Sequence, residues 1–175
     1  MKKLAENIFA ILFSRRVFVA FAVALVSYNV IGMLLLYERS SDYWGHMASM
    51  YAFAENPINP PNPYILTYKP IHLFTPYHLL WGVIARILHI HPFWLLPVAA
   101  GVNTLLFMAG VRVFSRKILH DEKYALILAL TMLFFWNDPW LWSGVYAFGL
   151  LPLTAVYPFW FAFSVSLMVI AVYGE

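Results

Sequence analysis

The stretch VFVAFAVALVSYNVIGMLLL, residues 17–36, contains no charged side chain. As a helix rising about 1.5 Å per residue, these twenty residues cover a hydrocarbon core of ~30 Å. Lys2, Lys3, Arg15 and Arg16 precede the stretch, and Glu38, Arg39 and Asp42 follow at once. Basic flanks stay in the cytoplasm, so residues 17–37 read as a first transmembrane helix that delivers Asp42 to the outer membrane face. The apolar run exceeds a signal-peptide core and lacks a small-residue cleavage site, so it is expected to be retained as a signal anchor.

The composition agrees. The 175 residues are 63% hydrophobic, 19% aromatic and only 11% charged, with a mean hydropathy of +0.74. A soluble fold of this length has too little interior for that apolar surface, which points to an integral membrane protein. The formal net charge is +3, but the basic residues sit at the ends of apolar segments rather than along one face. They report membrane orientation and anionic lipid, not nucleic acid. The absence of cysteine excludes disulfides, thiolate chemistry and iron–sulfur clusters.

Upstream, Leu4, Ile8, Ile11 and Leu12 fall at helical spacing, which predicts a cytoplasmic interfacial helix within residues 1–16. Downstream, residues 38–91 form an outer loop with two helices of its own. Ser41 caps the first, from Asp42 to about Glu55, and Asn56-Pro57 ends it. Residues 56–63, with four prolines and three asparagines, form an extended surface segment. Thr75-Pro76 starts the second helix, with Leu79, Leu80, Val83, Ile84, Ile87 and Leu88 at helical spacing.

That second helix is short for a span and carries His78, Arg86 and His89. If it crossed, Arg112, Arg116, Lys117 and Lys123 would lie outside; if it stays on the outer surface, all four lie inside. The positive-inside rule selects the surface position. The second span is then residues 92–114, followed by a cytoplasmic loop at 115–123 and a short third span at 124–136. Residues 137–158 form a broken outer or re-entrant segment, punctuated by Gly144, Gly149, Pro152 and Pro158, and residues 159–173 form a last span. The expected fold is an all-α polytopic integral membrane protein with about four transmembrane helices and two outer juxtamembrane helices. Its N-terminus is cytoplasmic, and its short cytoplasmic loops suit a bacterial inner membrane.

Asp42 and His46 lie one helical turn apart on a shared face, with Ser49 close to it. A carboxylate beside an imidazole suits a general base, a divalent metal site or a grip on sugar or phosphate. The alternative is a first-turn carboxylate favoured by the helix dipole and an interfacial histidine. His72 and His78, with Lys69, cluster before the second outer helix; with His46 they define a candidate zinc or copper site. His89 and His91 flank the membrane boundary, and Arg86 is placed to meet a lipid phosphate. Asp138 lies among Trp136, Pro139, Trp140 and Trp142, where an aromatic belt meets a carboxylate that either ends a span or serves a site.

The order of a basic-flanked span, Ser-Asp-Tyr-Trp-Gly-His-Met at 41–47, Glu-Asn-Pro at 55–57, Asn-Pro-Tyr at 62–64, Phe-Thr-Pro-Tyr-His at 74–78 and Arg-Val-Phe-Ser-Arg-Lys at 112–117 resembles the N-terminal part of the GT-C superfamily of integral membrane glycosyltransferases. The resemblance implies an acidic catalytic base soon after the first span, here Asp42 with His46 beside it, and Asp138 as a second acidic residue of the outer site. It implies a polyprenyl-phosphate sugar as donor, with Lys69, His78 or Arg86 meeting the phosphate. GT-C enzymes have many more spans than four, so the chain is expected to work with other membrane protein chains that complete its site, or to be a non-catalytic accessory subunit that reuses the module.

Overall fold

A computed structural model describes residues 13–36, 41–64, 74–135 and 148–174, and among them the ordered elements are helical, with no strand. Helix α1 spans Arg15–Leu36, α2 Ser41–Glu55, α3 Pro76–Leu88 and α4 Pro92–Lys117. Helix α5, Tyr124–Leu130, runs on as a π-helical turn over Thr131–Phe135. A 3₁₀ turn at Phe148–Leu150 leads into the short α6, Leu151–Thr154, and α7 spans Pro158–Tyr173. The interfacial helix expected within residues 1–16 falls mostly outside the described residues.

Local sequence accounts for the helix ends. Thr75 caps α3, its hydroxyl accepting from the His78 N–H at 3.4 Å, and Pro76 follows at the first helical position, where no intrahelical donor is needed. The helix stops at His89, which takes a left-handed conformation (φ 54°) and donates its N–H back to the last-turn carbonyls. His91 then caps α4 by accepting from the Phe93 N–H at 3.2 Å. Both boundary histidines therefore serve as helix-terminal devices.

Helices α1 and α4 are long and apolar enough to cross a membrane. A third crossing exists if α6 and α7 are taken together as one span bent by 109° at residues 155–157. Residues 124–135 are apolar but shorter than a bilayer requires on their own. Helix α4 is the hub, packing on α1, α2, α3, α5 and α7. Within its apolar window 67% of residues are buried, against 22% for α1, so α1 turns most of its surface outward.

Close helix approach depends on small residues, because hydrocarbon solvent provides no drive for side chains to leave it. A Cβ at Gly110 would stand 2.8 Å from the Ser164 carbonyl oxygen, which lets α4 and α7 touch backbone to backbone. Buried polar pairs add specificity: Asn29 Nδ2 on α1 donates to Thr104 Oγ1 on α4 at 2.7 Å, both residues being fully buried. The apolar core has two parts. One surrounds Phe107, Val111 and Trp160 near the basic end of α4; the other, around Met50, Trp81, Leu96 and Val156, seats α2 and α3 on its opposite end.

Candidate functional site

Helices α2 and α3 pack against each other and close on α4. The contact is tight at Gly82, where a Cβ would lie 2.6 Å from Phe53 Cβ and 2.7 Å from the Met50 carbonyl oxygen. This packing brings together two histidines that are 32 residues apart in sequence. His46 Nδ1 lies 2.7 Å from His78 Nε2, and His78 Nδ1 lies 2.8 Å from Thr75 Oγ1. The imidazole planes lie within 17° of each other with centroids 5.0 Å apart, so the rings meet nearly edge to edge. The Tyr157 ring covers His46 at a centroid distance of 4.3 Å. His46 is 7% exposed and His78 fully buried.

The arrangement admits two complementary hydrogen-bonded states. In one, the Thr75 hydroxyl donates to His78 Nδ1 and His78 Nε2 donates to His46 Nδ1, leaving the proton on His46 Nε2. In the other, every donor and acceptor reverses and His46 Nε2 carries a lone pair. Each state satisfies the buried nitrogens that join the rings, as a low-dielectric setting demands. In the second state a proton taken up at His46 Nε2 gives an imidazolium whose Nδ1–H still bonds His78 Nε2. If both facing nitrogens carried protons, two N–H groups would confront each other at 2.7 Å, which breaks the bond.

A second polar cluster lies beside the first. Asn103 of α4, fully buried, donates from Nδ2 to the Tyr77 hydroxyl and to the Ala155 carbonyl, each at 2.8 Å. One amide thus joins α3, α4 and the break before α7. Burial pushes the Tyr77 phenol far above the usual tyrosine range, against a smaller opposing effect of the Asn103 amide that donates to it. Asn29, Asn103 and Thr104 carry no motif; the only sequence signal for them is an amide or hydroxyl inside an apolar helix.

Of the six residues singled out for a site, His46 and His78 come together. Asp42 lies on α2, one turn before His46. Lys69, His72 and Asp138 lie outside the described residues. Arg86 is engaged elsewhere: its Nη1 donates to the Glu55 and Ala54 carbonyls at 2.6 and 3.1 Å. A guanidinium there satisfies the open carbonyl end of α2 and complements its dipole. Ser49 is also turned inward, donating to the Gly45 carbonyl at 3.0 Å.

Among the described residues no group of three or more histidine, aspartate or glutamate side chains is gathered closely enough to hold a metal ion. The nitrogens of His46 and His78 that face each other share a hydrogen bond, and His72, the third histidine of the candidate zinc or copper site, lies outside the described residues. An open cleft of about 470 Å³ lies along α2, lined by Met47, Tyr51, Glu55, Asn62 and His91. Tyr51 lies beside His91 there, ring centroids 5.7 Å apart, and its hydrogen bond to Glu55, with that carboxylate's charge, holds its phenol above the ordinary range. His46 and His78 do not line this cleft. No protein-family model, curated protein or solved structure matches the chain.

Proposed function

We propose that the chain is a polytopic membrane protein of about four spans, with α2 and α3 lying at its outer surface as the acid–base part of a GT-C-like glycosyltransferase. The donor is a polyprenyl-phosphate-linked sugar and the acceptor carries a hydroxyl. The observation that carries this reading is the hydrogen-bonded chain His46–His78–Thr75, which begins one turn after Asp42 on the helix that follows the first span. Asp42 takes the proton of the acceptor hydroxyl as its oxygen bonds to the anomeric carbon. The bond from that carbon to the phosphate oxygen breaks, and the lipid phosphate leaves with the electron pair. His46 in its neutral form takes the proton from Asp42 at Nε2 and holds it as an imidazolium whose Nδ1–H stays bonded to His78 Nε2, so the carboxylate is restored. Lys69 and Asp138 are the further charged groups assigned to the phosphate and to the outer site, and a divalent metal at the phosphate fits the same chemistry.

A second reading, an accessory subunit of a larger membrane assembly, is favoured by the outward apolar face of α1, only 22% of whose apolar window is buried. Purification from native membranes in mild detergent, with the mass of the complex determined and a panel of polyprenyl-phosphate sugars tested, separates the two. The enzyme reading expects donor consumption that Asp42→Asn abolishes and His78→Gln lowers by about 10²-fold, the ordinary contribution of a positioned acid–base group. A stoichiometric complex whose activity is indifferent to Asp42, His46 and His78 overturns it in favour of the accessory role.

A further inference from the structure

Helices α1 and α4 run antiparallel and leave an open groove of about 440 Å³ between them. Val19, Val23, Leu105 and Met108 form its walls, and Arg112 and Arg116 stand at one end. Val19, Val23 and Leu105 are 46, 59 and 54% exposed, so this trench is apolar and uncovered. From Leu105 to Arg116, α4 rises about 16 Å at ~1.5 Å per residue, which is acyl-chain length.

Among the described residues the charged end is not balanced. Arg112 Nε and Nη2 are held by Glu122 Oε1 at 2.7 and 2.6 Å, and Lys123 lies 3.7 Å from Asp121. Both carboxylates of the α4–α5 turn are therefore engaged. Arg116 is exposed and makes no ion pair among the described residues, and Arg15 and Arg16 add positive charge at the adjoining start of α1. A hydrocarbon trench ending in a guanidinium with no ion-pair partner among the described residues is complementary to a molecule with an apolar chain and an anionic head. An apolar partner helix would fill the trench and strand Arg116.

We propose that this groove binds one anionic phospholipid of the leaflet at the basic end of α1 and α4, an acyl chain lying between the helices and its phosphate held by Arg116 and Arg112. The site is independent of the α2–α3 chemistry and rests only on α1 and α4 being membrane spans. Glu122 serves it by fixing the Arg112 guanidinium at the mouth of the groove.

The test uses the full chain. Its flotation with phosphatidylcholine vesicles after an alkaline carbonate wash checks the spans, and failure to float overturns the span reading itself. Native mass spectrometry in mild detergent then measures retention of added phosphatidylglycerol against phosphatidylcholine. Wild type is expected to retain one phosphatidylglycerol preferentially, and Arg116→Gln to weaken that retention about fivefold, the effect of one basic residue at an anionic surface. Val23→Trp, which blocks the trench without altering charge, is expected to remove retention, while Val98→Trp, outside the groove, leaves it intact. Equal retention of the two lipids, indifference to Arg116→Gln and Val23→Trp, or displacement by excess inorganic phosphate alone overturns the proposal.

Discussion

Replacing Asn103 by leucine tests whether one buried amide joins three elements of this fold. Leucine has the same branch point and the same number of side-chain heavy atoms but is bulkier, so the perturbation is the loss of two hydrogen bonds with some overpacking rather than a cavity. Both bonds are 2.8 Å long and buried, one to the Tyr77 hydroxyl and one to the Ala155 carbonyl. Each neutral bond contributes about 0.5–1.5 kcal/mol net, and a buried carbonyl left without a donor costs about 1–3 kcal/mol. Ala155 lies in the break before Pro158, which has no N–H to offer, so its carbonyl finds no ready substitute. Asn103 Oδ1 itself has no partner among the described residues, and removing it returns part of the total. The expected destabilisation is about 2–4 kcal/mol. It is measured by reversible unfolding in mild-detergent micelles titrated with a denaturing detergent and followed by far-UV circular dichroism. Val98→Ala on the exposed face of the same helix, half exposed, serves as the control, expected within about 0.5 kcal/mol of wild type. A double-mutant cycle with Tyr77→Phe isolates the α3–α4 bond and should show coupling of about 0.5 kcal/mol or more. Asn103→Leu as stable as Val98→Ala, or no coupling, would refute the bridging role.

Stability should fall at alkaline pH through Tyr77. Its folded value is raised, so the contribution of the neutral phenol is complete below the unfolded value of ~10. Above that pH the unfolded chain loses a proton that the folded chain keeps, and stability declines by up to about 1.4 kcal/mol per pH unit until the folded value is passed. Tyr77→Phe should have a shallower alkaline limb, and equal slopes in the two proteins argue against a buried neutral phenol. Gly82→Ala should force α3 off α2, with an overpacking cost of about 1–3 kcal/mol. The hydrogen-bonded imidazole ¹⁵N signals of His46 and His78 should be lost with it, and their survival would show that the helices tolerate the methyl group. Gly110→Ala meets the Ser164 carbonyl at 2.8 Å and should cost about as much in the same unfolding titration, whereas unchanged stability would mean that α4 and α7 part freely. Asn29→Val should cost about 0.6–2 kcal/mol, the range for buried hydrogen bonds between membrane helices, and a stabilised variant would count against its bond to Thr104.

What the sequence determined by itself is what depends on neighbours along the chain. An uncharged run at 17–36 became α1 at Arg15–Leu36 because hydropathy and length are local properties. Thr75-Pro76 starts α3, and Asn56-Pro57 follows the end of α2, because capping and the lost proline N–H act within one turn. Helical spacing put Asp42 and His46 on one turn of α2 for the same reason. Tertiary structure alone decided partners. His46 meets His78 because Gly82 lets α2 and α3 approach closely, and no periodicity encodes which face of one helix receives which face of another. Arg86 reads as a phosphate contact in the sequence, yet its guanidinium lies against the open carbonyls of α2, a destination visible only once the end of that helix is placed in space. The 109° bend before α7 falls where Gly149, Pro152 and Pro158 mark a broken segment, whereas no residue pattern marks the π-helical turn at Thr131–Phe135. Hydrophobic pattern specifies which residues leave water, while hydrogen bonding and close packing, which act over a few ångströms between distant parts of the chain, specify what they meet.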